Sequence, residues 1–233
     1  MKKTIGIMQP YFLPYIGYFQ LIALVDKFVI YDNIKYTKKG WINRNRILMN
    51  GIDKVFSIPL SKASDTLDII ERDISPQFDK QKLLAQIRGS YLKAPYFNDV
   101  WPIIESIILF EDKNLFRYVK NSLVLVCNYM DIKTEIVVSS DVKAEHSLQS
   151  QDRVISICKS MSAKTYINPI GGTELYRKED FKNSNLELKF IKTMNFEYSQ
   201  FDNLFVPGLS ILDVIMFNSK NELKKLISSF ELI

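Results

Sequence analysis

The stretch from Thr4 to Tyr31 constrains the fold more than any other part of the chain. Thr4–Met8 is a short, apolar, β-leaning run. Pro10 and Pro14 then stop strand and helix alike, so residues 9–14 are a shaped loop. Gly17 opens a helix through Gln20, Leu21, Ala23 and Leu24. Asp26-Lys27 end it, and Phe28-Val29-Ile30-Tyr31 is a second buried strand. Strand, helix and strand within about thirty residues make one βαβ unit with parallel strands. The loops that leave the carboxyl ends of such strands are where parallel sheets seat ligands.

The rest of the chain continues the pattern. Asn50-Gly51 is a hairpin signal that pairs residues 44–49 with 54–60. Ile69-Ile70 reads as a further strand. Asp79 to Tyr91 is helical, Lys93-Ala94-Pro95 breaks it, and helices are expected over 101–110 and 114–129 from apolar residues at helical spacing. Strands are expected at 135–139, 164–168 and 186–191, and helices at 151–161, 176–181, 205–218 and 222–230. Strands and helices alternate in both halves. The expected class is therefore α/β: a Rossmann-like parallel sheet with helices on both faces, a β-hairpin insertion and a helical cap. A single domain over 1–233 is expected, with residues 78–130 as the cap subregion.

Apolar residues are 47% of the chain, enough for a sizeable core. The net charge of +5 is mildly basic and suits a phosphorylated or anionic small molecule. No long Lys/Arg run or RNA-binding motif appears, so nucleic acid is not the expected partner. Lys2-Lys3 precede only a short apolar run before Pro10, and no stretch approaches the roughly twenty apolar residues of a membrane span. Cys127 and Cys158 stand alone in apolar surroundings and read as reduced, buried thiols. A cytoplasmic protein without a membrane span is expected, its oligomeric state left open.

The chain has one histidine, which prunes the chemistry. A Ser-His-Asp or Cys-His site would have to use His146, and the several His or Cys of a zinc site are missing, so no metal site is expected. His146 lies in a polar loop, either as a solvated side chain or as a general base. The Gln9–Tyr18 segment is more telling. Tyr11, Tyr15 and Tyr18 carry hydroxyls on rigid bodies, Gln9 directly follows a buried strand, and the helix opening at Gly17 offers free N–H groups to an anion. Asp32 and Asn33 follow the second strand and belong beside that loop. Asp32 could be a general base, bind a sugar hydroxyl or hold a metal. Lys35, Lys38, Lys39, Arg44 and Arg46 place five cations within twelve residues. Arg44 and Arg46, flanked by Asn43 and Asn45, share one face of an extended strand and suit a diphosphate or carboxylate. Tyr36 and Trp41 could stack on a base or sugar ring. Arg153 on a helix and Asn168 with Gly171-Gly172 after a strand make a third group; a plain turn explains the glycines equally well. Ser210 and Asp213 read as a cap or as pocket residues, capping being the simpler role.

Several of these motifs resemble those of a known family. Gln9-Pro10-Tyr11-x-x-Pro14-Tyr15-x-Gly17-Tyr18-Phe19, Asp32-Asn33, Trp41-x-Asn43-Arg44-Asn45-Arg46 and Tyr91-x-Lys93-Ala94-Pro95-Tyr96-Phe97 resemble the WbqC-like family. Tyr166, Gly171-Gly172-x-x-x-Tyr176 and Ser210-Ile211-x-Asp213 resemble its later landmarks. Members are bacterial and often encoded beside genes for O-antigen or other surface polysaccharides. The resemblance implies a role in making or decorating a nucleotide-linked sugar. Transfer of an acyl or aminoacyl group to an amino sugar is the reaction expected here, with an acyl or aminoacyl donor as co-substrate. Asp32 and His146 would be its catalytic residues. Gln9, Tyr11, Tyr15, Gly17, Tyr18, Asn33, Tyr36, Lys39, Trp41, Asn43, Arg44, Arg46, Arg153, Asn168, Gly171 and Gly172 would bind substrate. A fold-level resemblance to HIGH-motif nucleotidyltransferases is weaker. Their His-x-Gly-His slot reads Tyr15-Ile16-Gly17-Tyr18, which keeps the glycine and loses both histidines. Nucleotidyl transfer, or nucleotide-sugar binding without catalysis, are the alternatives.

Overall fold

A computed structural model describes residues 3–201 and 204–233. The first βαβ unit forms as its sequence requires, with β1 (Thr4–Met8), α1 (Ile16–Leu24) and β2 (Lys27–Ile30). β1 and β2 pair in parallel, Ile5 opposite Lys27 through Met8 opposite Ile30. Next comes an antiparallel hairpin, β3 (Arg44–Met49) and β4 (Ile52–Ser57). Its second strand begins two residues earlier than expected. Asn50 and Gly51 both take positive φ (52° and 78°), the two-residue turn that matches strand twist, so pairing starts at once on either side.

Three helices follow: α2 (Lys80–Tyr91), α3 (Phe97–Ile108) and α4 (Leu115–Tyr129). Asp79 and Asn114 cap α2 and α4 through their side chains. α3 starts four residues before the expected Trp101 and runs through Pro102. Its buried stripe of Phe97, Val100, Ile104 and Ile107 outweighs the hydrogen bond the proline cannot make. Residues 69–71 form a 3-10 turn instead of a strand, closed by Asp68 and Glu71 in a capping box.

The second half supplies β5 (Glu135–Val138), α5 (Ser150–Ser160), β6 (Thr165–Pro169), α6 (Lys178–Asn183), β7 (Glu187–Thr193), α7 (Ile211–Phe217), α8 (Lys220–Ile227) and β8 (Phe230–Leu232). α6 lies two residues later than expected. The expected helix over 205–218 holds only from Ile211. Pro207 bars helix across residue 206, and Ser210 caps the true start by accepting the Leu212 N–H. The last expected helix ends at Ile227, and Phe230–Leu232 instead joins β7 as an antiparallel edge strand.

The sheet order is β5-β2-β1-β6-β7-β8, parallel except for β8. From β1 the chain moves outward through β2 to β5, then returns to lay β6 on the other flank of β1. The order therefore reverses between β1 and β6, where α/β sheets open a crevice at the strands' carboxyl ends. Side chains alternate between two cores. Phe28, Ile30, Ile167 and Ile191 pack with α1, α2–α4, α7, α8 and the hairpin, whereas Ile5, Ile7, Val29 and Tyr166 pack with α5 and α6. Helices thus cover both faces, as expected. Among the described residues no helix is long and apolar enough to cross a membrane.

Candidate functional site

Two cavities open at the carboxyl edge of the sheet, one on each face. Met8 and Pro169, from the ends of β1 and β6, border the α1-side cavity, of about 540 Å³. Tyr31, from the end of β2, borders the α5-side cavity, of about 560 Å³. The strand ends at the reversal point stand between them.

The α1-side cavity has aromatic walls made by Tyr11, Tyr15, Tyr18 and Trp41, with Gly17 at the start of α1. The Gln9–Pro14 loop is locked by its neighbours. Asn45 donates its amide to the Phe12 and Leu13 carbonyls at 3.1 and 2.9 Å, and the Ser210 hydroxyl donates to Leu13 at 2.7 Å. Leu13 is thereby held at φ +47°, a left-handed conformation that costs a leucine about 1–2 kcal/mol. Strain of this kind, over-determined by surrounding bonds, gathers at ligand sites. The Tyr18 hydroxyl donates to the Gln9 carbonyl at 2.8 Å. Burial raises the phenols of Tyr11, Tyr15 and Tyr18, so all three are donors at neutral pH. Tyr15 caps α1 with no side-chain acceptor, and the first turn carries no acid; the Tyr18 N–H bonds back to the Tyr15 carbonyl at 3.0 Å, which leaves the Ile16 and Gly17 N–H groups and the dipole end open.

Arg44 and Arg46 share a face of β3, each guanidinium 5.6 Å from the Trp41 ring centre. Their roles then diverge. Arg44 donates to the Gly40 and Lys39 carbonyls at 3.0 and 2.7 Å and lies outside the cavity wall. Arg46 is in the wall, paired with Asp53 at 3.1 Å and donating to the Gly208 carbonyl, while its Nε is buried without a partner among the described residues. Lys192 adds a second cation at the rim.

The α5-side cavity gathers Asn33, His146 and Arg153 with Tyr31, Lys35, Asp68 and Tyr176. His146 Nε2 lies 2.8 Å from the Val142 carbonyl, which can only accept, so the hydrogen is on Nε2. Nδ1 then accepts from the Asn33 amide at 3.3 Å and faces Arg153 Nη2 at 3.4 Å. The lone pair a general base would use is thus engaged in holding the cavity wall.

The remaining expected residues lie elsewhere. Asp32 is buried at the end of β2 and lines neither cavity. Its Oδ1 accepts the Ser140 N–H at 3.0 Å, and Oδ2 has no partner among the described residues. Tyr36 donates to Asn43 at 2.9 Å, and Asn43 donates to the Ile58 carbonyl, so this pair braces the base of the hairpin. Lys39 is exposed. Asn168 is buried at the end of β6 with its amide over Gly172, and Gly171 faces open space. Sequence reasoning gave no site role to Tyr31, Asp68, Tyr176 and Lys192: Tyr31 adjoins Asp32-Asn33 and Tyr176 stood in a recognised motif, whereas Asp68 and Lys192 lie far along the chain from the residues they join. Asn45 and Ser210 stood within recognised motifs, but their part in clamping Leu13 shows only in three dimensions.

Residues 9–225 match the WbqC-like protein family. The chain belongs to that family. The match takes in every residue that lines either cavity except Met8 of β1. Among curated proteins, this WbqC-like chain is similar to the uncharacterized protein Rv1507c of Mycobacterium tuberculosis (strain ATCC 25618 / H37Rv). The two are 27% identical over 219 residues, covering 93% of this chain and 94% of that one. No solved structure matches the chain.

Proposed function

We propose that this WbqC-like chain is a transferase of bacterial surface-polysaccharide synthesis that acts in the cytoplasm on a nucleotide-linked amino sugar. The nucleotide part would occupy the α1-side cavity. The observation that carries this reading is the make-up of that cavity: aromatic walls and two cations beside an open helix N-terminus, where the strand order reverses. Trp41, Tyr11 and Tyr15 offer faces on which a base can stack. The first N–H groups of α1, with Arg46 and Lys192, favour a diphosphate.

In the proposed reaction the sugar amine attacks the carbonyl carbon of an activated acyl or aminoacyl donor. A C–N bond forms, the bond from that carbon to the leaving group breaks, and the nitrogen loses a proton. Of the two expected bases Asp32 keeps one oxygen unengaged, while the His146 lone pair is occupied, so Asp32 is the one assigned the proton here. A second reading, nucleotide-sugar binding without catalysis, is favoured by one observation: Asp32 is only 3% exposed and lines neither cavity.

Calorimetry with a pyrimidine nucleoside diphosphate sugar tests the binding claim. Removing a charge-assisted contact costs about 1.5–3 kcal/mol, so Arg46→Ala should weaken binding about tenfold or more. Trp41→Ala should weaken it by a stacking loss of about 1–3 kcal/mol. Affinity unchanged in both variants would end the claim. Asp32→Asn separates the two readings, because only a catalyst would lose genetic complementation while keeping nucleotide-sugar affinity.

A further inference from the structure

The α5-side cavity contains opposite charges that have not paired with each other. Arg153, on the first turns of α5, uses only Nη2 in the protein. That nitrogen donates to the Asn33 carbonyl at 3.0 Å and lies 3.4 Å from His146 Nδ1. Among the described residues no carboxylate comes within ion-pair distance of Arg153, and its Nε is buried with no partner. The guanidinium centre lies over the Tyr31 ring, 5.3 Å from the ring centre. A partly buried guanidinium without a counter-ion is an unfavourable arrangement that an anion relieves.

Asp68 lines the same cavity. Its carboxylate caps its own 3-10 turn and has no cation within ion-pair distance among the described residues. Burial, then the Glu71 charge, raises its pKa and outweighs the Arg153 charge, which acts the other way from beyond ion-pair distance. The N-terminus of α5 also borders this cavity: Gln149 supplies no side-chain cap, and Asp152, the acid of the first turn, is not in the cavity lining. The cavity therefore offers Arg153, the exposed Lys35 and helix N–H groups for a negative group, and the Asp68 carboxylate for a positive one. A phosphate dianion satisfies the first and is repelled by the second. A zwitterion satisfies both.

We propose that the α5-side cavity binds the head group of a free α-amino acid, its carboxylate on Arg153 and the α5 N–H groups and its ammonium toward Asp68. His146 and Asn33 are positioning residues that hold the guanidinium. This goes beyond the nucleotide reading and uses none of the α1-side residues.

Calorimetry on the full chain tests it, with glycine, L-alanine, L-serine and L-glutamate as probes and acetate, methylamine and inorganic phosphate as comparisons. At least one amino acid should bind ten times tighter than acetate or methylamine, and phosphate should bind more weakly than that amino acid. Arg153→Gln and Asp68→Asn should each weaken the amino acid tenfold or more, while Arg46→Ala leaves it unchanged. The wild-type panel decides the matter even if a variant fails to fold. Binding by none of the four amino acids overturns the proposal. So does phosphate binding at least as tightly, or affinity retained in both Arg153→Gln and Asp68→Asn. Loss in Arg46→Ala alone would place the ligand in the other cavity and also overturn it. Failure of the nucleotide reading shows separately, as absent nucleotide-sugar binding alongside intact amino-acid binding.

Discussion

A methyl group added at Gly172 would sit 2.1 Å from the Asn168 amide nitrogen and 3.2 Å from its Cγ. Non-bonded heavy atoms rest at about 3.5–4.0 Å, so the amide would have to leave its place. Asn168 is buried at the end of β6, which borders the reversal point, and has little room to swing. Overpacking of this kind costs about 1–3 kcal/mol. In a chain of this length each kcal/mol lowers Tm by about 2–4 °C, so Gly172→Ala should melt about 2–12 °C below wild type. Asn168→Ala identifies the cause, because it clears the space the new methyl needs. The double variant should be more stable than the two single losses predict, by about 1–3 kcal/mol. Urea unfolding followed by far-UV circular dichroism gives all four free energies. If the losses add to within about 0.5 kcal/mol, the amide does not fill that space and the packing at the reversal point is misassigned.

Arg44 and Arg46 should part company in binding assays. Arg44 is occupied by two backbone carbonyls outside the cavity, so Arg44→Ala should disturb nucleotide-sugar affinity less than Arg46→Ala; the reverse order would remove Arg46 from the site. Asp213 is fully buried and accepts from Tyr198, Gln200 and Tyr91 at 2.5, 2.6 and 2.9 Å, yet burial still raises its carboxyl above the ordinary 3.8. The folded chain then keeps this proton at pH values where the unfolded chain has lost it. The contribution of Asp213 to stability is therefore full below 3.8 and falls as pH rises from there through its folded value. The stability of wild type minus that of Asp213→Asn should decline over that window in urea titrations, and a rising difference would reverse the assignment. Burial pushes the Cys127 and Cys158 thiols up to about 12. Neither should react with an aromatic disulfide reagent at pH 8 until urea unfolds the chain, and prompt native labelling would contradict their burial.

Local grammar was sufficient wherever neighbours in sequence decide the outcome. The βαβ unit followed from two apolar runs divided by prolines and a glycine, and the hairpin from Asn50-Gly51. The Gln9 loop was expected to meet the whole Asp32–Arg46 segment at one sheet edge; Trp41, Asn45 and Arg46 reach the α1-side cavity, while Asp32, Tyr36, Lys39 and Arg44 stay outside it. Reading failed where the partner is remote. Phe230–Leu232 becomes a strand only because the β7 edge awaits it, and Pro102 stays helical because a buried stripe holds α3 in place. Arg44 and Arg46 are indistinguishable in sequence, alternate positions on one face of one strand. Only the packed hairpin turns one toward backbone carbonyls and the other into a cavity. Tyr31, Asp68, Arg153 and Tyr176 are spread over much of the chain, and nothing local announces that the fold will gather them. Backbone preference and hydrophobic period act over a few residues and are written in the sequence. The pairing of charges across a cavity depends on distances that exist only after the sheet has closed.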